Sequence, residues 1–427
     1  MTISELLKKA DALRLSGKKA CTLLGVGPMS MPVLRAAFEV GRDKDFPVML
    51  IASRNQVDSL EFGGGYVRGW DQRQFAAAVD ATAEQAGFGG LRYICRDHGG
   101  PWQRDGERAA KLPEKEAMEI AKRSYLADLL AGFDLLHIDP TKDPHSSGVM
   151  QMETVLRRTV ELIEFVESER IKRNLPPIDY EVGTEETNGG LTSPDSYKDF
   201  ITRLKAMLAE KGLPPPAFIV GQTGTLVRLT ENVGSFNADN ASILAESARS
   251  LGFGLKEHNA DYLDDKTLLL HPVIGVTAAN VAPEFGVDET RAYLLLAETE
   301  KAACERGLIG KVSDFTRTIR NAAVDCGRWR KWMLGDVPNM ASEDVKRDEA
   351  IMDIITRSSG HYTFDDDAVA RELALLKENL VSIGMDPDRF VINRIKASIG
   401  RYAECFGLTG LTSMALGSGV DDIFARR

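Results

Sequence analysis

Cysteine is scarce in this sequence: five residues in 427, odd in number and nowhere paired as CxxC. A disulfide framework or a zinc knuckle is therefore not what organises the chain. No apolar run reaches about 18 residues, so nothing is expected to span a membrane. No basic block occurs either: 63 acidic against 53 basic side chains give a net charge of −10. Such a balance argues against nucleic acid or an anionic membrane as partner. Any anionic ligand must be met by local cations. The N-terminus MTISELLKKADALRLSGKK reads as an amphipathic charged helix without the apolar centre of a signal peptide, and a cytoplasmic location is expected. Nucleotide and hydrolase signatures are also missing. GLIGKV at 307–312 lacks the first glycine and the hydroxyl of a P-loop, GVGPMS departs from GxGxxG, and no GxSxG occurs.

What the sequence does have is alternation. Short apolar runs (ACTLL, PVMLIA, LRYIC, LLHI, IDYEV, AFIV, FGLKE and VTAANV) are separated by stretches with helical spacing, such as METVLRRTVELIEFVESERIKRN. Eight such repeats from Ala20 to about Gly307 predict a (β/α)8 TIM barrel, with a doubly wound sheet as the alternative. The seventh crossover, DYLDDKTLLLHPVIG, is the thinnest, a short helix expected to stop at Pro272. From about Asp325 strand signals cease. The expected division is residues 1–324 for the barrel with its N-terminal helix and 325–427 for a helical C-terminal region.

Barrel enzymes carry their chemistry at the C-terminal ends of the strands. The residues just after each run are Arg54, Asn55 and Gln56; Arg96, Asp97 and His98; Asp139 and Lys142; Glu185; Gln222; and His258, Asn259 and Asp261. Two of only six histidines fall there, beside acidic residues. Histidines and carboxylates converging on one cavity suit a catalytic divalent cation, Zn2+, Mn2+ or similar. The expected ligands are His98 and His258, assisted by Asp139 or Glu185, with Asp97 or Glu185 moving a proton. Adjacent Asp97 and His98 would point to opposite faces of a regular strand, so the chain should break there, as Gly99 and Gly100 permit. Arg54 and Arg96 are expected on a small anionic carbohydrate, or else in ion pairs with Asp97 or Asp139. Asn55, Gln56, Gln222, Asn259 and Asp261 complete the expected substrate contacts. His137 reads as a core residue, His145 as a loop residue, and His271 and His361 as structural or subunit-contact residues.

ASRNQV with FGGGY, RDHGGPWQ, GFDLLHIDPTKD, YEVGTE, EHNADY and RYAECFG occur in the order and spacing of a known family. The sequence resembles the non-catalytic subunit of class II D-tagatose-1,6-bisphosphate aldolase, also labelled tagatose-6-phosphate kinase. The wider class II group implies a barrel, a divalent cation, an Asp–His pair matched by Asp97 and His98, a histidine ligand matched by His258, and a functional glutamate matched by Glu185. It departs at VGQTGT, where Gln222 replaces a third histidine, and at NVAPEFG, where Glu284 disfavours a phosphate dianion. The resemblance implies retro-aldol cleavage or epimerisation of an anionic ketose, a sugar phosphate or keto-sugar acid. Its alternative is a stabilising subunit for a catalytic aldolase. A homo-oligomer is expected.

Overall fold

The computed structural model describes residues 1–146, 148, 150–184 and 190–417. Eight strands close into one parallel barrel: β1 (Leu23–Val26), β2 (Val48–Ser53), β3 (Arg92–Gly99), β4 (Leu135–Ile138), β5 (Asp179–Val182), β6 (Phe218–Val220), β7 (Gly254–Glu257) and β8 (Ala278–Val281). Each strand pairs with its neighbour in the chain, and β8 returns to β1. The runs that mark these strands are buried almost throughout, as a sheet covered by helices on its outer face requires. The expected (β/α)8 architecture is therefore the one the chain adopts.

Two local expectations shift. The first strand is Leu23–Val26 rather than ACTLL, so Gly25 lies inside the sheet. A Cβ there would stand 2.3 Å from Asn280 Oδ1 on β8, so glycine makes room for that side chain. The seventh crossover helix, Asp265–Ile274, passes through Pro272 and ends at Gly275, whose φ is 92°. Proline forfeits only one helical hydrogen bond this close to the end.

After the barrel come the helices Phe315–Asp325, Glu349–Ser359, Asp367–Ser382 and Pro387–Cys405. The last packs on the helices Met31–Lys44 and Pro283–Glu305. Beyond its end, Phe406 O accepts the Thr22 N–H at 3.0 Å, beside the start of β1. A second, small core surrounds the buried Trp329, and the chain on either side of it brings Lys331, Trp332 and Tyr362 to the barrel mouth.

Glu39 ties the last long helix to the barrel. It accepts hydrogen bonds from Arg35 at 2.6 Å, Arg389 at 2.8 Å and Lys396 at 3.0 Å, with its side chain only 5% exposed. Burial alone would raise its pKa, but those three donors bring it from 4.5 down to about 2. A carboxylate with a depressed pKa stabilises above its unfolded value and stops doing so as pH falls through the folded one. Urea midpoints of the wild type and Glu39→Gln should thus differ fully at pH 7, with the gap closing between pH 4.5 and about 2.

Candidate metal centre and active site

The site begins with an irregularity in β3. Tyr93, Ile94 and Cys95 are buried strand residues, but the register against β4 slips between Arg96 and Gly99, and His98 adopts a φ of 43°. This bulge turns both Asp97 and His98 into one cavity, which a regular strand would forbid. The break expected from the sequence is thus a bulge within the strand rather than a loop after it. The two glycines let β3 press on β4. A Cβ at Gly99 would lie 2.8 Å from His137 O, and one at Gly100, where φ is 127°, 2.5 Å from Asp139 O.

Inside the cavity His98 Nε2 and His258 Nδ1 face each other at 3.1 Å. Each ring is held from behind by a carboxylate: His98 Nδ1 by Asp139 Oδ2 at 2.7 Å, His258 Nε2 by Glu181 Oε1 at 2.6 Å. The other oxygen of Glu181 takes the Lys256 ammonium at 2.5 Å. Because the rear nitrogens donate to carboxylates, the front ones are lone pairs when the rings are neutral. Two lone pairs at this distance require a proton or a cation between them. Asp97 Oδ1 lies 3.7 Å from His258 Nδ1 and 3.9 Å from both His98 Nε2 and His137 Nδ1, and accepts the Asn280 amide at 3.1 Å. Asp97, His98, His137 and His258 each offer a ligand atom within 4.8 Å of the others.

The electrostatics follow from this packing. Burial would raise the Asp97 pKa, but His98, His137 and His258 hold it well below the carboxylate range. Burial likewise opposes ionisation of Glu181, and Lys256, His137 and His258 together outweigh it. His258 is pushed down by burial; His98, also buried, is raised by Asp97 and Asp139.

The structure brings Asn55, Gln56, Asp97, His98, Asp139, His258, Asn259 and Asp261 to the wall of this cavity of about 390 Å3. Asp139 stands behind His98 and accepts from Thr141 as well, so it orients a ring rather than facing the cluster. Asp261 accepts the N–H groups of Ala282 at 3.0 Å and Glu284 at 2.9 Å, and burial lifts its pKa to about 7. Glu185 lies outside the described residues. Gln222 is not among the residues lining the cavity; its N–H donates to Thr192 Oγ1 at 2.7 Å.

Arg54 and Arg96 require correction. Both are buried to within 1% and neither lines the cavity. Arg54 pairs with Asp58 at 3.0 Å and Glu107 at 2.7 Å and donates to Gly100 O at 3.0 Å. Arg96 pairs with Asp128 and donates to Ala52 O and Val57 O, both at 2.8 Å. These guanidinium groups are already spent on bracing the loop after β2 against the end of β3, and their partners are not the Asp97 or Asp139 expected.

Four residues of the site were not anticipated: His137, Glu181, Lys256 and Asn280. All lie inside strands, whereas the residues expected from the sequence lie at strand ends or just beyond them. The available signal was a polar or charged residue within an apolar run, as in DYEV, GLKE and AANV. A buried charge of that kind must find a partner.

Comparison with known proteins bears on the fold. Residues 9–211 match the family described as D-tagatose-1,6-bisphosphate aldolase subunit GatZ/KbaZ-like. No curated protein matches the chain in sequence. Among solved structures, one described as a probable tagatose 6 phosphate kinase from Sinorhizobium meliloti 1021 superposes with a TM-score of 0.69 at 20% identity, covering 95% of this chain and 100% of its own. The fructuronate-tagaturonate epimerase UxaE from Cohnella laeviribosi superposes with a TM-score of 0.57 at 13% identity, covering 91% of this chain and 82% of its own. Identities this low establish likeness of fold.

The correction for Arg96 carries a direct expectation. Removing one member of a fully buried ion pair strands the other, at a cost of about 3–5 kcal/mol. Arg96→Met should lower the unfolding free energy by that amount in urea titration. A variant as stable as the wild type would mean that Asp128 does not depend on the pair.

Proposed function

We propose, from the match of residues 9–211 to the GatZ/KbaZ-like family and from the site itself, that this chain is a divalent-metal-dependent carbohydrate enzyme. In this reading it acts on an anionic ketose, by retro-aldol cleavage or by epimerisation beside the carbonyl. The observation that carries the reading is the pair of imidazole nitrogens aimed at each other at 3.1 Å, each fixed from behind by a buried carboxylate. Carboxylate–histidine pairs of this kind set the tautomer that a metal ligand needs. His98 and His258 would hold the ion, with His137 and Asp97 next to them in the cluster. Such a cation would polarise a carbonyl or hydroxyl oxygen of the ketose.

The chain's own groups carry the rest. Asp97, kept ionised by its neighbours, would accept a proton from a substrate hydroxyl, and Asn280 donates to the oxygen that does so. Asp139 and Glu181 keep the histidine rings from rotating, and Lys256 helps His137 and His258 keep Glu181 ionised. Glu185 remains the resemblance's candidate for a second proton-moving group. The family description also names an aldolase subunit, so a barrel that binds metal without turning over any ketose would favour the partner-subunit reading.

Metal content after dialysis, with turnover of ketose phosphates and keto-sugar acids, tests the proposal. His98→Ala should lose metal and activity together. Asp97→Asn should keep the metal and lose about 100-fold or more in rate, as expected for a proton-transfer group. Glu181→Gln, which touches no substrate, should weaken metal binding by about 10- to 100-fold. A wild type that binds no divalent metal at saturating concentration would overturn the reading.

A further inference from the structure

With Arg54 and Arg96 committed elsewhere, the cavity still contains cations that the chemistry above does not use. Lys331 and Arg228 both line it. They come from distant parts of the chain, and one hydrogen bond between the adjoining residues, Leu229 N–H to Trp332 O at 2.9 Å, fastens the two segments together. Lys331 lies 4.7 Å from the Trp332 ring and 5.9 Å from that of Tyr362, and no carboxylate pairs with it among the described residues. Among the described residues, the Arg228 guanidinium donates to the carbonyl of its neighbour, Val227, and no carboxylate pairs with it. Behind this wall, Arg328 stacks on Tyr66 at 4.5 Å and Tyr362 at 5.6 Å, with its buried Nη1 unpartnered. Lys142 lines the cavity too, and its charge is felt both at Lys331 and at His98. The nearby Asp105 is already answered by Arg108.

A second place where a barrel commonly binds phosphate is the helix N-terminus beyond the last strands. Here it is closed. The Asp261 carboxylate accepts the N–H groups of Ala282 and Glu284 at the start of the helix Pro283–Glu305. Glu284 itself is buried beside it, accepting from the Tyr262 N–H and the Tyr402 hydroxyl. A phosphate dianion would have to displace one carboxylate and approach another.

We propose that Lys331 and Arg228 form the anion subsite of this cavity, which takes the single anionic end of a ketose, and that the site has no place for a second phosphate. The proposal rests on the ketose reading for the nature of the ligand, but the subsite itself needs neither the metal nor turnover. A carboxylate and a phosphate monoester are the two sources of such an end. The geometry gives the C-terminal part of the chain a role in choosing substrate.

Equilibrium binding tests it, measured on metal-loaded and metal-free protein without reference to activity. The probes are fructuronate, fructose 6-phosphate, uncharged fructose and tagatose 1,6-bisphosphate. Lys331 is exposed, so Lys331→Met should fold normally. It should weaken whichever monoanion binds the wild type by about tenfold or more, the loss of one charge-assisted hydrogen bond, and leave fructose unchanged. Arg228→Met should act in the same direction, and the tighter of the two monoanions identifies the source. The bisphosphate should bind no more tightly than fructose 6-phosphate. Equal binding by wild type and Lys331→Met, no binding of either monoanion, or a bisphosphate at least tenfold tighter than the monophosphate would overturn the subsite. Loss of metal dependence with the Lys331→Met effect intact would instead count against the metal reading alone.

Discussion

Two neutral imidazoles that turn lone pairs toward each other repel, and much of this molecule is arranged to hold them there. His98 and His258 come from strands on different sides of the barrel, and each is pinned by a carboxylate that is itself buried. Barrel interiors are ordinarily filled with branched aliphatic side chains. Here β5 and β7 contribute Glu181 and Lys256, both inaccessible to solvent, in place of that filling. A buried ion pair adds little stability over apolar packing of the same volume. Its presence is best understood as the means of fixing the direction of His258.

The bulge in β3 has a comparable support. Arg54 holds the carbonyl of Gly100 and Arg96 holds two carbonyls of β2 and its loop, so the backbone on both sides of Asp97 and His98 is clamped. Asp58 collects the other ends of this brace, accepting from Arg54, Arg104 and Ser124. A site fixed this firmly before ligand arrives spends little free energy on rearrangement. Charged residues that looked like ligand contacts thus serve the geometry of those that face the cavity.

That distinction explains what could be read from the sequence. The eightfold alternation was legible because apolar runs and helical spacing are local properties, and the Asp97–His98 pair because a strand rarely ends on such residues. His258, Asn259 and Asp261 were legible for the same reason. The role of the arginines was not legible because a sequence shows a charge but not its partner: Glu107 and Asp128 approach them only through the fold. His137 was taken for a core residue, and it is indeed buried to 1%, yet it also joins the cluster. Burial and participation are not alternatives inside a barrel. Gly25 shows the same limit from the other side, since its meaning depends on Asn280, 255 positions later in the chain.

The segment that carries Lys331 and Trp332 is held by a small core around Trp329 and meets the barrel mouth from outside the strands. Its residues can therefore vary without disturbing the packing that aims the histidines. A lineage that retained the barrel and exchanged this segment would keep the reacting centre while changing which compounds reach it. Divergence among such proteins should then concentrate in the stretch from about 326 to 366, and grafting that stretch between relatives would be a shorter route to altered selectivity than rebuilding the loops between strands and helices.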